Sequence, residues 1–549
     1  MAHYLKNVPW KWKEIFLLLF LLVFEVSIHA LGIGPDRRIH DPAVYRLTDP
    51  SYLPGDWYTG MAVASGVYTL YAKLIAFATT LHVSEELWRL TLYVSCLIVL
   101  YYSLIRIARL MSESFWVVPL VAVFHALLVT VAPPIWLYGP FIQVDGGLAP
   151  RSIGIALSFA ALFFLLKNAR MLPWILLGVA TLIHVSNSLI VFTLFLAAWL
   201  GAEWLENHTL SAERVSQLLK RTWFAFASYF VSGGWFAFYA ASLNVGKIEF
   251  TPEKFIWTWI YLRAPYMALP GMPEKAWLLF GLHIVAIAVG WYVLIKQGDE
   301  NMKRRVNILG LVGLGAIVYF FLFYFFTFVR PWLPGFQFYS LRVVYLAHFV
   351  AYLFAALLIV AVYQKGIRKI SPKIIVSGIT VGVIMFLFTS FGRDFLERSG
   401  KNISVSLAQM EEVHKIPVPP TQATTRYLYL HPEPFLAPPD WYGVPTYLPQ
   451  VASFKSFGFT KSGLEEWYAR LDDVSSGELE RVYEEQKIAG RFLPVSIKWS
   501  KVYAKLSADE VVRLSGKYHF NLFLAEKKLS YPFTVVAEDG DFRLYQLQP

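Results

Sequence analysis

Nine segments of about 20 mostly apolar residues recur along the chain, and they constrain its fold more than any other feature. An α-helix needs about 20 such residues to cross the hydrocarbon core of a bilayer. The segments are residues 15–33, 87–108, 115–133, 151–168, 222–242, 276–296, 306–328, 341–363 and 374–391. Only 16% of the residues are charged, whereas soluble domains carry about 25%. This excludes a cytosolic enzyme, a disordered chain and a collagen-like chain, and it predicts a mostly α-helical polytopic membrane protein.

Two further segments are ambiguous, and the positions of the basic residues decide how they are interpreted. Residues 61–80 are only moderately apolar, and residues 172–200 form a long apolar run interrupted at His184. Lys and Arg gather on the cytoplasmic side of membrane proteins. The basic clusters are Lys6/Lys11/Lys13, Arg106/Arg109, Lys167/Arg170, Lys220/Arg221, Lys303/Arg304/Arg305 and Lys365/Arg368/Lys369/Lys373. The net charge of +11 therefore needs no nucleic-acid partner.

All of these clusters lie inside only if 61–80 does not cross and 172–200 crosses twice, as spans 172–185 and 186–200. This arrangement predicts about eleven spans, with the N-terminus in the cytoplasm and the C-terminus outside. Residues 61–80 then form an interfacial helix on the outer surface. A single long tilted helix over 172–200 is the alternative, and it would place the last three clusters outside.

The composition changes after residue 391, which predicts a transmembrane domain over 1–391 and an extracytoplasmic α/β domain over 392–549. Helices are predicted at 462–474, 478–488 and 507–516, and strands at 426–430, 519–525, 533–537 and 542–547. The chain has a single cysteine, Cys96, which excludes an internal disulfide and any multi-cysteine metal site.

The outward-facing loops carry the residues that are candidates for catalysis or ligand binding. They are His40, Asp41, Asp49, Asp56, Asp145, Arg151, His184, Arg263, Arg330 and Arg342. Carboxylates can act as general bases or bind a divalent cation. Arginines on the outer side run against the positive-inside bias, and arginine is well suited to bidentate contact with phosphate. Together these residues favour a site for a lipid-linked phosphosugar at the membrane surface.

Each candidate also has a structural interpretation. Asp49 and Asp56 flank prolines and a glycine, so either can be a turn residue. Arg330 and Arg342 can reach lipid headgroups from the ends of spans. His184 can cap a helix.

The layout resembles the glycosyltransferase fold called GT-C, in which an acidic first outer loop precedes an interfacial helix and an outer soluble domain often follows. Asp49 to Asp56 match a D-P-S-x-x-P-x-D loop found in a bacterial multi-span group related to GT-C. Glu466–Arg470 (E-W-Y-x-R) and the F-T-V-V-x-E…F-R-L-Y-x-L stretch at 533–547 also resemble that group. A W-W-D-x-G motif is absent, so an oligosaccharyltransferase is poorly supported.

The resemblance implies a GT-C-like bundle that transfers a sugar from a polyprenyl-phosphate donor on the outer face of a bacterial inner membrane. It implies Asp41 or Asp56 as the base, and the choice stays open because Asp41 lies closer to the first span and Asp56 closes the matching motif. Mg²⁺ or Mn²⁺ is a candidate cofactor, and the acceptor glycan, lipid or protein stays undetermined. A lipid or polymer transporter and a non-catalytic GT-C-like scaffold remain the alternatives.

Overall fold

The chain is mostly helical, with a small sheet near its C-terminus. The computed structural model describes residues 9–28, 44, 46, 47, 66, 69–131, 148–206, 211–242, 249–263, 274–338, 343–366, 429–430, 461–493, 495, 502, 504–539 and 542–547.

The helices before the sheet follow most of the predicted spans. The first are α1 (Trp10–Ile28), α2 (Thr69–Thr80), α3 (Glu85–Met111), α4 (Val117–Val131), α5 (Pro150–Leu166), α6 (Leu172–Ile183) and α7 (Val185–Glu206). They are followed by α8 (Ala212–Tyr229), α9 (Phe236–Ser242), α10 (Pro252–Trp257), α11 (Glu274–Gln297), α12 (Glu300–Tyr324), α13 (Leu333–Phe338) and α14 (Val344–Gly366).

Several of these helices are apolar enough to cross a bilayer. Within the described ranges, five segments meet the length and composition of a membrane span: Leu87–Met111, Asn187–Glu206, Phe280–Gln297, Glu300–Val329 and Val344–Tyr363. The chain therefore has the character of a membrane protein. The count of eleven spans remains a prediction, and its last span, 374–391, lies outside the described residues.

An ion pair and a hydrogen bond join the ends of α1, α3 and α12 on one side of the bundle, here called the basic end. Arg109 near the end of α3 pairs with Glu14 near the start of α1, at 2.5 Å. Arg305 near the start of α12 donates a hydrogen bond to the carbonyl oxygen of Leu110, at 2.8 Å. Basic clusters that are far apart in sequence therefore meet on one side, as the positive-inside argument requires.

The helix α7 also reaches the basic end. Arg304 on α12 pairs with Glu203 and, at 3.1 Å, with Glu206, both in the last turns of α7. Arg221 on α8 approaches Glu203 at 3.6 Å. Because α7 ends here, its first residue, Val185, lies toward the other side of the bundle, here called the distal end.

The apolar run over 172–200 is broken at His184, where α6 ends and α7 begins after one residue. His184 has φ −145° and ψ 85°, which is not helical. The structure therefore has two helices joined near His184, as the hairpin interpretation requires, rather than one long helix. The second helix ends at Glu206, six residues beyond the predicted 200.

The short helix α2 lies at the distal end. The Tyr71 hydroxyl donates to the carbonyl oxygen of Leu148, just before α5, at 2.7 Å, and Trp88 Nε1 on α3 donates to Leu74 at 2.8 Å. A helix of 12 residues is about 18 Å long, too short for a hydrocarbon core of about 30 Å. The helix α2 is thus too short to form a membrane span over 61–80, which the charge argument also disfavours.

The predicted span 222–242 is not one straight helix, and whether it crosses the membrane remains a prediction. The chain forms α8, a π-helical turn at Phe230–Gly234, and then α9. Gly233 has φ +146°, a conformation that side chains with a Cβ rarely adopt, and it kinks the helix there. Gly178 of α6 packs against this kink: a Cβ at Gly178 would lie 2.5 Å from the carbonyl oxygen of Tyr229.

The C-terminal region forms a small α/β unit. Its elements are β1 (Tyr429–Leu430), α15 (Lys461–Val474), α16 (Glu478–Ile488), α17 (Ala508–Tyr518), β2 (Leu522–Glu526), β3 (Thr534–Asp539) and β4 (Phe542–Gln546). The sheet order is β1-β2-β4-β3, with β1 parallel to β2 and the other pairs antiparallel. Trp467 and Leu471 of α15 and Leu514 of α17 are fully buried between these elements.

This α/β unit packs on α10 and the π-helical turn Thr258–Arg263 that follows it. Lys254 of α10 pairs with Glu480 of α16 at 2.6 Å, and Trp257 Nε1 donates to Gln486 at 3.0 Å. The ring of Tyr261 lies 6.4 Å from that of Phe328, which follows α12. Since α12 starts at the basic end and is about 37 Å long, the α/β unit sits at the distal end.

Candidate functional site

Six of the ten predicted site residues lie outside the part of the chain that the structure describes. They are His40, Asp41, Asp49, Asp56, Asp145 and Arg342. Arg263 is described only as the last residue of its π-helical turn. The remaining predicted site residues, Arg151, His184 and Arg330, are all at the distal end.

Arg151 and His184 belong to two elements that touch. Arg151 lies in the first turn of α5 and is half-buried, while His184 is 4% exposed. One turn beyond Arg151, a Cβ at Gly154 would lie 3.4 Å from His184 Cβ and 3.6 Å from Ser188 Oγ. The small residue at position 154 therefore lets α5 approach the junction of α6 and α7.

Further polar side chains line the contact between α7 and α14. Asn187 Nδ2 donates to the Tyr345 hydroxyl at 3.5 Å, and Ser158 of α5 forms a hydrogen bond to the same hydroxyl. Asn187 is 3% exposed, and Ser188 beside it is fully buried. A hydroxyl and an amide thus lie next to His184 inside the bundle.

A buried arginine on α3, which the sequence reasoning counted only as part of a span, extends the polar region. Arg89 is 7% exposed; it pairs with Glu85 at 2.6 Å and donates to the Tyr71 hydroxyl at 3.3 Å. Tyr71 in turn donates to Leu148, three residues before Arg151. The i,i+4 spacing of Glu85 and Arg89 at the start of an apolar run is the sequence signal that could have found this pair.

The arrangement suits an anionic ligand. Arg151 lies in the first turn of α5, and Arg89 is linked through Tyr71 to Leu148, which precedes α5. The start of a helix carries partial positive charge and backbone N–H donors. Here the first helical residue is Pro150, and the Ala149 N–H donates to Ser152 Oγ at 3.4 Å. The guanidinium groups, the imidazole of His184 and the amide of Asn187 are all side chains that hydrogen-bond phosphate or sugar oxygens.

Arg330 lies elsewhere on the distal end. It follows the π-helical turn Phe325–Val329, its N–H donates to the Phe325 carbonyl at 2.8 Å, and its side chain is exposed. This position agrees equally with a headgroup contact and with a ligand contact. The sequence alternative of snorkelling to lipid therefore stays open for Arg330.

A second buried polar cluster, which the sequence reasoning missed, lies one turn inward of Tyr345. His348 of α14 and His283 of α11 are 1% and 7% exposed, and their ring centroids are 4.5 Å apart. Tyr352 stacks on His348 with a centroid distance of 6.3 Å. No periodic pattern in the sequence indicates this cluster, because the two histidines lie on different predicted spans. Whether they meet depends on how those helices are rotated about their axes.

The Mg²⁺ or Mn²⁺ ion that the sequence suggests has no set of ligands among the described residues. In the part of the chain that the structure describes, no three His, Cys, Asp or Glu residues are grouped closely enough to hold a metal ion. The loop aspartates on which the Mg²⁺ or Mn²⁺ expectation depends lie outside that part.

No family model matches the chain, and no curated protein matches it in sequence. Roles for Arg151, His184 and their neighbours therefore rest on their own geometry and chemistry.

Proposed function

We propose that the protein is a membrane glycosyltransferase that uses a polyprenyl-phosphate-linked sugar and transfers the sugar on the outer face of the membrane. The observation that carries the proposal is the packing of the first turns of α5, which hold Arg151, against the break between α6 and α7 at His184, through Gly154. A guanidinium and an imidazole on two adjoining helix ends are groups suited to binding a sugar phosphate.

The proposed roles follow from the chemistry of each group. Asp41 or Asp56, in the loop before α2, acts as the base that removes a proton from the acceptor hydroxyl. Arg151 neutralises the phosphate that leaves as the glycosidic bond breaks, because a fixed cation stabilises developing negative charge. His184 and Asn187 hydrogen-bond the sugar or the phosphate.

The location of the site supports a lipid-borne substrate. The helix α2 is too short to span the bilayer and lies beside the Leu148 segment, where a polyprenyl chain can reach Arg151 from the membrane. The α/β unit packs on α10 at the same end, and we propose that it shapes the acceptor site. The basic end is proposed to face the cytoplasm and the distal end the outside of a bacterial inner membrane.

The test is transfer of radiolabelled sugar from a panel of polyprenyl-phosphate sugars by the purified full chain in nanodiscs. Membrane extract serves as the acceptor source. We expect Asp41→Asn or Asp56→Asn to lower transfer at least 100-fold, which is the usual scale of a lost general base. Glu300→Gln, an exposed carboxylate at the basic end, is the matched control and should keep the wild-type rate.

Two outcomes would count against the proposal. Wild-type transfer by both aspartate variants would make the loop structural and overturn the assignment of Asp41 or Asp56 as the base. Movement of labelled lipid across a sealed vesicle, with no sugar transferred from any donor, would favour the transporter.

A further inference from the structure

A cleft with an unusual lining lies at the basic end, on the opposite side of the bundle from the proposed transferase site and independent of it. A cleft of about 630 Å³ opens between the start of α1 and the end of α3. Small-molecule sites have volumes of about 300–1,000 Å³. The cleft is therefore large enough to hold a lipid headgroup.

The charge of the cleft is positive. Among the described residues that line it, Lys11, Arg106 and Arg109 face one carboxylate, Glu14, which leaves an excess of two positive charges. Glu14 is 8% exposed and pairs closely with Arg109 at 2.5 Å. Arg106 is only loosely attached to it, at 3.8 Å.

Arg106 is held in a defined position by its other neighbours. Its Nη1 donates to the Tyr102 hydroxyl at 3.0 Å, and its guanidinium lies 5.6 Å from the ring centroid of Phe163. Its side chain keeps 29% of its surface exposed. The guanidinium is thus preorganised but still open to a further anion.

The cleft opens toward lipid rather than toward bulk water alone. Ile15 lines it and is 47% exposed, and the next residues on the outward face of α1, Phe16 and Leu19, are 56% and 57% exposed. Trp10 lies at the rim beneath the Arg109 guanidinium, at 4.9 Å, a position typical of the membrane interface. A ligand here meets cations at one end and acyl chains at the other.

We propose that this cleft binds the phosphate of an anionic phospholipid from the leaflet at the basic end. Basic clefts between transmembrane helices recognise anionic headgroups by the same combination of charge and apolar surface. Arg106 and Lys11 contact the phosphate, and Glu14 limits its affinity by occupying Arg109. The lipid bridges α1 and α3 beside the Glu14–Arg109 ion pair that already joins them.

The test is native mass spectrometry of the purified full chain in an uncharged detergent, titrated with phosphatidylglycerol, phosphatidylcholine or inorganic phosphate. We expect one phosphatidylglycerol to bind more tightly than phosphatidylcholine. The double variant Lys11→Gln/Arg106→Gln leaves the Glu14–Arg109 pair intact, so that folding is preserved. Each basic residue near anionic lipid contributes a factor of about five, so the double variant should bind about 25-fold more weakly.

Two further variants make the test specific. Glu14→Gln frees Arg109 and should tighten phosphatidylglycerol binding, a change opposite in sign to that expected from damage to the fold. Lys220→Gln removes an exposed cation outside the cleft and should change affinity less than twofold. Equal binding of the two lipids, wild-type affinity in the double variant, weaker binding in Glu14→Gln, or displacement of the lipid by millimolar phosphate would each overturn the proposal.

Discussion

Replacing Lys254 tests how the α/β unit is held on the membrane bundle. Lys254 Nζ donates to both carboxylate oxygens of Glu480, at 2.6 and 2.8 Å, and the Tyr468 hydroxyl donates to the same carboxylate at 2.8 Å. The ammonium also lies 4.8 Å from the ring centroids of Phe250 and Tyr468 and 5.2 Å from that of Tyr483. One cation therefore joins α10 to α15 and α16.

The magnitude follows from these contacts. The Lys254 side chain is 17% exposed and that of Glu480 is 42% exposed, so that solvent screens part of the attraction. A partly exposed, doubly hydrogen-bonded ion pair contributes about 1–2 kcal/mol, and the aromatic rings add about 1 kcal/mol. Lys254→Met, which keeps the apolar stem, should therefore weaken docking by about 2–3 kcal/mol.

The assay is native-state hydrogen exchange of the α16 amides in the full chain, which reports the free energy of local opening. Lys254→Met, Glu480→Gln and the double variant form a thermodynamic cycle, with an expected coupling of about 1–2 kcal/mol. Lys487→Met, on the same helix as Glu480, is the control. The ion pair of Lys487 with Glu484, at 3.3 Å, is exposed and should contribute little to the free energy of docking. Additive effects in the cycle, or equal effects of Lys254→Met and Lys487→Met, would refute the reasoning.

Three further predictions follow from the structure. Burial raises the pKa of Glu480, but hydrogen bonds from Lys254 and Tyr468 outweigh this effect and hold the pKa below its usual range. The free energy of docking should therefore be constant above the carboxyl's ordinary pKa of about 4.3 and should fall as the pH drops below it. Hydrogen exchange of the α16 amides at pH 7 and pH 4 will show this difference. Gly178→Ala should destabilise the chain by about 1–3 kcal/mol by overpacking against the α8 kink, whereas Gly281→Ala, with open space around it, should not lower the melting temperature. With the single cysteine replaced by alanine, Lys220→Cys and Glu478→Cys should react with an impermeant maleimide from opposite sides of sealed vesicles, and labelling of both from one side would contradict the assigned ends.

The α/β unit was predictable because its signals are local. The helix predicted at 478–488 has those bounds in the structure, where Gly477 with φ +83° precedes it and separates it from α15. The helix predicted at 507–516 is preceded by Ser507, whose hydroxyl accepts from the Glu510 N–H in a capping box. Caps and short amphipathic repeats can be recognised without knowing which elements pack together.

The kink and much of the candidate site depend on tertiary contacts that no local pattern encodes. The apolar run 222–242 does not indicate the kink. Gly233 has a positive φ at the point where Gly178 and Leu182 of α6 pack closely against it, and this contact cannot be read from the run itself. Arg89 and Tyr345 were counted as parts of spans, since a hydropathy pattern does not show which neighbour a side chain faces. The break at His184 could be predicted from its polar residues within an apolar run, and the structure packs it against Gly154, one turn beyond Arg151.

The most direct test of the proposed function is the steady-state rate of sugar transfer by Arg151→Gln and Arg151→Lys, with Lys220→Gln as the control. Loss of a charge-assisted contact to phosphate should lower kcat/KM about 10- to 100-fold in Arg151→Gln. Arg151→Lys should retain part of the rate, because it keeps the charge but not the bidentate geometry. A wild-type kcat/KM in Arg151→Gln would contradict a phosphosugar site at the start of α5.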